Sequence, residues 1–393
     1  MIIYFHAPVF ADAFLHFIRQ KDIISVTARM NAECGYSGGR LLVSIYVAAI
    51  PGIVREKEER KLMKIRMITA LALSAVMTMG MAVTATADDS ADIGKVTLIM
   101  AQRDEFLSAL EAGCKAKAEE VGMDLATQDA NGDQNKVIQY VAAAAADGQK
   151  AVIVNVVDPT ACQAVIDEAG DMKVVFVNRV PDDVSILNEN AVYVGSDEHT
   201  SGKFQGDFLA EYFKGQGKDE IKYILLNGII GQTSTTLRTE SVLKALEDGG
   251  IKAEEATAPL ACLYDRTEAM NKISPLLAAG TEFDCIISNN DAMALGAIEA
   301  CKNNGYDPSS FPIVGIDATA DGRQAIKDGE MAMSVFQDPN GQGAGAVMAA
   351  LNMVQGNPIN DGTDFEIDSE NAYTVWVPFE AVTPDNVADY DNR

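Results

Sequence analysis

Histidine is nearly missing from this chain: three occur in 393 residues, and only His199 lies beyond position 16. A Ser-His-Asp triad needs that residue as its base. His199 sits in a polar Asp-Glu-His-Thr stretch that reads as a solvated turn, and no G-x-S-x-G elbow accompanies it. Triad hydrolysis is therefore excluded. No His-Glu-x-x-His pair or P-loop occurs either, and no Asp-x-Asn-x-Asp calcium loop is expected, which removes the usual sequence marks of metal and nucleotide chemistry. Gly341-Gln342-Gly343-Ala344-Gly345 has the glycines of a dinucleotide loop without the full spacing after a first strand. A tightly packed helix start is the closer reading. No catalysis, resident metal or cofactor is expected.

Cysteine and tryptophan are sparse too. Beyond residue 34, Cys114, Cys162, Cys262, Cys285 and Cys301 form an odd set without a C-x-x-C pair. Small core residues are expected, not a disulfide scaffold. The single tryptophan, Trp376, is expected over a core edge. Basic residues are outnumbered, 31 against 57 acidic, for a net charge of −26. The imbalance is regional: residues 1–87 carry ten basic and six acidic side chains, leaving 21 against 51 for residues 88–393. Such a surface repels nucleic acid and anionic lipid. Uncharged small ligands suit it better.

What is present begins with a targeting signal. Met63-Lys64-Ile65-Arg66 is a short basic start, 67–83 is uncharged and largely apolar, and Ala85-Thr86-Ala87 puts small residues where a signal peptidase reads. Residues 63–87 thus read as a cleavable signal peptide, which implies export to the periplasm or beyond. No cysteine follows closely enough for a lipid anchor. Residues 1–62 read as a spurious extension ahead of a start at Met63, because the charged run 55–61 can be written in the purine codons of a ribosome-binding site.

From residue 94 onward, apolar strand runs at 96–101, 123–127, 151–157, 173–178 and 191–195 alternate with helical patterns at 104–121, 135–147 and 160–169. The alternation then begins again, with strands at 221–227, 251–258, 284–288, 311–316 and 331–336 and helices at 201–214, 235–247, 267–279 and 343–355. A last strand is expected at 372–377. Continuous Val/Ile runs between helices mark parallel sheets covered on both faces. The fold class is α/β, with two similar doubly wound domains and a boundary near Ser196-Asp197.

The clearest single unit is 285–296, a buried strand running into Asn289-Asn290-Asp291 and then a helix. In open α/β sheets, ligands collect beyond the carboxyl ends of strands. Asp104 and Phe106, Asn178 and Arg179, Gln232 and Ser234 ahead of Arg238, then Tyr264, Asn290, Asp317 and Gln337 all stand at such ends. Singly they read as helix caps or surface charges. Together they supply acids, amides, guanidinium groups and two aromatic faces, the groups that match the vicinal hydroxyls and C–H faces of a sugar.

The runs 155–159 (Asn-Val-Val-Asp-Pro), 193–197 (Tyr-Val-Gly-Ser-Asp), Gly206-Asp207, 288–297 (Ser-Asn-Asn-Asp-Ala-Met-Ala-Leu-Gly-Ala) and 314–318 (Val-Gly-Ile-Asp-Ala) follow in this order over 94–393. This series resembles the periplasmic monosaccharide-binding proteins of ABC importers, of the galactose/glucose and ribose type. The resemblance implies a type I periplasmic binding fold. Its lobes would be 88–196 plus 338–368 and 197–337 plus 369–393, joined by strands crossing near 196–197, near 337–338 and within 365–373. It implies that Asp104 reads a ring hydroxyl, that Phe106 stacks under the ring, and that Asn178, Arg238, Asn290 and Asp317 bond hydroxyls or the ring oxygen. Arg179 and Gln337 match the ribose type, and Tyr264 stands where the galactose type has tryptophan. Gln232 and Ser234 replace a histidine and an aspartate, and Met100 replaces a tyrosine at the cleft edge; with Asn155 these are the expected secondary contacts. The galactose type's calcium loop is lost around 215–222. The lactose-repressor branch of the family is set aside, since an export signal stands where its DNA-binding headpiece would be. The implied role is a monomeric carrier that closes on a hexose or pentose and delivers it to a membrane permease. The alternative is a sensor subunit presenting a sugar or polyol to a chemoreceptor or sensor kinase.

Overall fold

In the computed structural model, the described residues are 93–393 together with 32–37 and 40–45. Residues 1–88 form a unit of their own, in which Ala32–Ser37 and Arg40–Ile45 pair antiparallel. The expected signal peptide at 63–87 and the rest of the expected extension at 1–62 lie outside the described residues.

In the unit from Asp89 to Arg393 the first sheet contains β1 (Lys95–Met100), β2 (Asp124–Asp129), β3 (Ala151–Val154), β4 (Lys173–Val177) and β5 (Ala191–Gly195), parallel in the order β2-β1-β3-β4-β5. Helices α1 (Glu105–Val121), α2 (Gln134–Ala146) and α3 (Cys162–Ala169) connect them. Leu98, Ile153 and Val175 pack with α1 on one face, while Val152, Val154 and Phe176 pack with α2 and α3 on the other. Two buried faces explain why these runs are continuously apolar and not alternating.

The second half repeats the scheme. Helix α4 (Glu198–Gly215) leads to β6 (Glu220–Asn227), α5 (Thr233–Asp248), β7 (Lys252–Glu255) and β8 (Leu260–Ala261). Then come α6 (Arg266–Ala278), β9 (Cys285–Ser288), α7 (Asp291–Asn303) and β10 (Ile313–Val314). Both β7 and β8 pair with β6, which pairs with β9, and β9 with β10. In each sheet the strand order reverses beside the first strand, between β1 and β3 and between β6 and β9. Chains leaving in opposite directions open a crevice there. Helix α8 (Ala320–Lys327), capped by Thr319, was not expected from the sequence; Gly322 and its neighbouring polar residues hide an eight-residue helix from any periodic pattern.

The chain passes between lobes three times. After β5 it enters α4 through Ser196-Asp197. After β11 (Ser334–Gln337) it returns through Asp338 into α9 (Pro339–Gln355), which packs on α1. A Cβ at Gly343 would lie 2.5 Å from Cys114 N, so the glycine run near 341 serves a close helix contact. The third crossing differs from expectation. β12 (Glu366–Ile367) pairs antiparallel with β13 (Thr374–Trp376), and β13 extends the first sheet beside β5. Only after Pro378 does β14 (Phe379–Val382) pair with β11. The crossing therefore lies at 377–378, not within 365–373, and 374–376 belongs with the first sheet. Pro378 lacks the N–H that would continue β13. All five described cysteines are free and buried. Trp376 meets Tyr193 edge-on, with centroids 5.8 Å apart.

Candidate functional site

A cavity with about 470 Å³ of empty space, part of it open to solvent, lies between the two sheets' carboxyl ends. It is lined by all nine residues expected as main contacts, from Asp104 to Gln337, and by Gln232 and Ser234. Leu107 and Glu198 line it as well.

On the second lobe's side the wall is built around Arg238, which α5 carries into the interior where it is only 4% exposed. Its guanidinium donates to Glu198 through Nε (2.6 Å) and Nη2 (2.9 Å), to the Asn289 carbonyl (2.7 Å) and to Gln337 Oε1 (3.2 Å). Burial works against this charge, yet the fork-to-fork pairing with Glu198 outweighs it and raises the arginine's pKa. Holding Oε1 of Gln337 fixes the amide's orientation. Its Nε2 is then a buried donor without a partner among the described residues, an arrangement that calls for an acceptor.

Asp317 follows β10 with φ of 111° and is 6% exposed. Burial pushes its carboxyl well above the ordinary range, although Arg238 Nη1, 4.0 Å away, pulls it back. Asn290 caps α7 by accepting the Met293 N–H on Oδ1 at 3.0 Å, which leaves its amide donors uncommitted to that cap. Tyr264 also has a positive φ, 61°. Its ring lies so close over Gly228 that a Cβ there would be 2.0 Å from Cζ, and its hydroxyl is held by Ser234 (2.9 Å) and Thr235 (2.8 Å).

The first lobe's side is looser. Asp104 caps α1 through the Leu107 N–H (2.8 Å) and accepts from Gln102 (3.1 Å), and it stays exposed. Phe106, two residues later, is half-buried. Arg179 donates to the Val156 and Val157 carbonyls at 2.8 and 3.3 Å. Burial lowers its pKa, opposed by Asp104. Asn178, at φ 68°, is tied to Asn155 on one end (3.3 Å) and to Gln342 on the other (3.2 Å). Gln342 donates onward to Ser196 (2.9 Å), so this amide chain reaches the first crossing.

Two expected secondary contacts do not line the cavity. Met100 is fully buried in the first lobe's core, where the end of β1 packs against α1. Asn155 is also fully buried and acts from behind, bonding the Ala101 N–H (3.3 Å), the Val177 carbonyl (3.1 Å) and Asn178. Glu198 is the residue that sequence reasoning missed. It lies in the stretch read as a solvated turn, yet α4 starts there, leaving His199 exposed and Glu198 buried. Contrary to expectation, an Asp-x-Asn-x-Asp run does occur, at Asp129, Asn131 and Asp133, but there Asp129 accepts from Arg103 (2.9 Å) and Asp133 caps α2. Among the described residues no group of three His, Cys, Asp or Glu is placed to hold a metal ion.

Residues 96–358 match the family described as periplasmic binding protein domain. A protein of Rhizobium meliloti named for rhizopine binding is 32% identical over 297 residues, 74% of this chain and 90% of its own length. A D-galactose/methyl-galactoside binding periplasmic protein of Haemophilus influenzae is 33% identical over 299 residues, 73% of this chain and 88% of its own. An ABC transporter solute binding protein from Bacillus halodurans, solved with bound myo-inositol, superposes with a TM-score of 0.64 at 29% identity, covering 77% of this chain and 99% of that one. With so much of the sequence matched, and on the same two-sheet architecture, the chain belongs to the periplasmic binding protein domain family.

Proposed function

We propose that this protein is an exported solute-binding protein that captures a monosaccharide or a closely related cyclic polyol and hands it to an ABC transporter permease. The observation that carries the reading is the cavity itself, in which both lobes contribute to one set of carboxylates, amides, guanidinium groups and two aromatic rings. Relatives named for galactose and rhizopine, and a structural neighbour solved with bound myo-inositol, support the ligand class. The roles expected of Asp104, Phe106, Asn178, Arg179, Arg238, Tyr264, Asn290, Asp317 and Gln337 are carried forward as part of this proposal. Ligand bridging the two walls has more contacts in the closed state than either wall offers alone, and that difference drives closure about the three crossings. The ligand leaves unchanged. Residues 63–87 act as the export signal in this scheme. Among the described residues no helix is long and apolar enough to cross a membrane.

A thermal-shift screen against pentoses, hexoses and cyclic polyols tests the reading. At least one should raise the unfolding temperature, with a shift that grows as the logarithm of its concentration above the dissociation constant, as mass action requires. No response from any of them at millimolar concentration would remove the proposal.

A further inference from the structure

Asp291 is a fully buried carboxylate to which the binding scheme gives no role. It opens α7 directly after Asn290 yet does not line the cavity. Its backbone N–H donates to the Ile316 carbonyl at 2.7 Å. Its Oδ2 accepts the Thr319 N–H at 2.8 Å, and its Oδ1 accepts the Ser334 hydroxyl at 2.6 Å. Ser334 Oγ in turn accepts the Ala318 N–H at 3.0 Å. One residue thus holds the chain on both sides of Asp317.

The segment it holds is strained. Asp317 and Ala318 have φ of 111° and 46°, a region that residues other than glycine populate sparsely and keep only where their surroundings fix it. Space for the carboxylate comes from two glycines. A Cβ on Gly315 would lie 2.2 Å from Oδ1, and one on Gly322 would lie 2.0 Å from Oδ2.

We infer that Asp291 is a positioning residue whose carboxylate locks the strained 317–319 turn that aims Asp317 into the cavity, so that it sets ligand affinity without touching ligand. The inference rests on the binding reading above. Burial raises the Asp291 carboxyl to about 7 against the pull of the Ser334 and Thr319 bonds; Glu105 and Arg323 also act on it, and its charge is coupled to that of Asp317.

The test has two arms. Without ligand, amide hydrogen exchange is compared in wild type, Asp291→Ala, Asp291→Asn and Ser334→Ala. Exchange should accelerate about tenfold or more at Ala318 and Thr319 in Asp291→Ala and at Ala318 in Ser334→Ala. Asp291→Asn should restore protection at Thr319, since its amide oxygen can still accept that N–H. With ligand, myo-inositol, D-galactose and D-ribose are titrated, and whichever binds wild type is used. Asp291→Ala should weaken it about thirtyfold, but less than about threefold in an Asp317→Asn background, because the two residues act as one unit. Unchanged exchange at Ala318 in the mild Ser334→Ala variant overturns the inference, and so does an affinity loss that is additive with Asp317→Asn. Should wild type bind none of the three, the best ligand of the thermal-shift screen replaces them, and if that screen gives none the ligand class fails while the exchange arm still decides the turn.

Discussion

The two walls of the cavity differ in how firmly they are built. On the second lobe Arg238, Asp317, Asn290 and Gln337 are all buried, and Glu198, Asn289 and Asp291 hold that wall from behind or beside it. On the first lobe Asp104 is exposed, Phe106 is half-buried, and Arg179 is bonded through backbone carbonyls. The lesson concerns order of events. A pre-paired wall loses little freedom when ligand arrives, so its donors and acceptors can act as the template on which the looser wall closes.

Four changes would break or sharpen that contrast, in falling order of effect. Arg238→Met should be the most damaging, because it strands the Glu198 carboxylate in the interior; removing one partner of a buried pair costs about 3–5 kcal/mol, read as a drop in the denaturation midpoint. Asp317→Ala should cost binding roughly 2–5 kcal/mol, as truncated buried charge contacts do, with the circular dichroism spectrum unchanged. Two of the buried acids, Asp291 and Asp317, also give a pH signature. Asp291 is raised from 3.8 to about 7, and Asp317 is raised too. The folded state then binds more protons than the unfolded one above pH 3.8, so their contribution to stability falls as pH climbs through 4 to 7 and levels off for Asp291 beyond 7. Denaturation midpoints should be higher at pH 5 than at pH 8, and Asp291→Asn should flatten the slope. For the stability of the unliganded fold, Asp104→Ala on the exposed wall should cost no more than its helix cap, about 1 kcal/mol. A stability loss there as large as that of Arg238→Met would erase the distinction between the walls.

Legibility in the sequence followed the same divide between local and distant causes. Asn290 and Asp317 could be read directly, because each ends a continuously apolar run, and a strand end in a parallel sheet is where ligands meet polar side chains. The alternation of strands and helices was legible for the same reason. Glu198 was not, since its burial depends on Arg238, 40 residues away, and nothing in Asp-Glu-His-Thr signals that partner. Met100 was misjudged by resemblance: the tyrosine it replaces implied a cleft edge, whereas an unbranched thioether at the end of β1 fills core instead. The third crossing lies later than the sequence implies because β12 and β13 form a short antiparallel pair at the sheet edge, and two-residue pairing leaves no sequence period to read. Asp291 was visible as part of a motif, but its role depends on Ser334 and on two glycines brought together only by folding.

Both walls must grip one ligand for the protein to close as proposed. Titration calorimetry of the best ligand from the screen, against wild type, Phe106→Ala on the first lobe and Tyr264→Ala on the second, measures that directly. One-to-one binding that each substitution weakens by roughly 1–3 kcal/mol of lost apolar contact is the expected result. Affinity that survives intact in either variant would mean a ligand held by one lobe alone, and would contradict it.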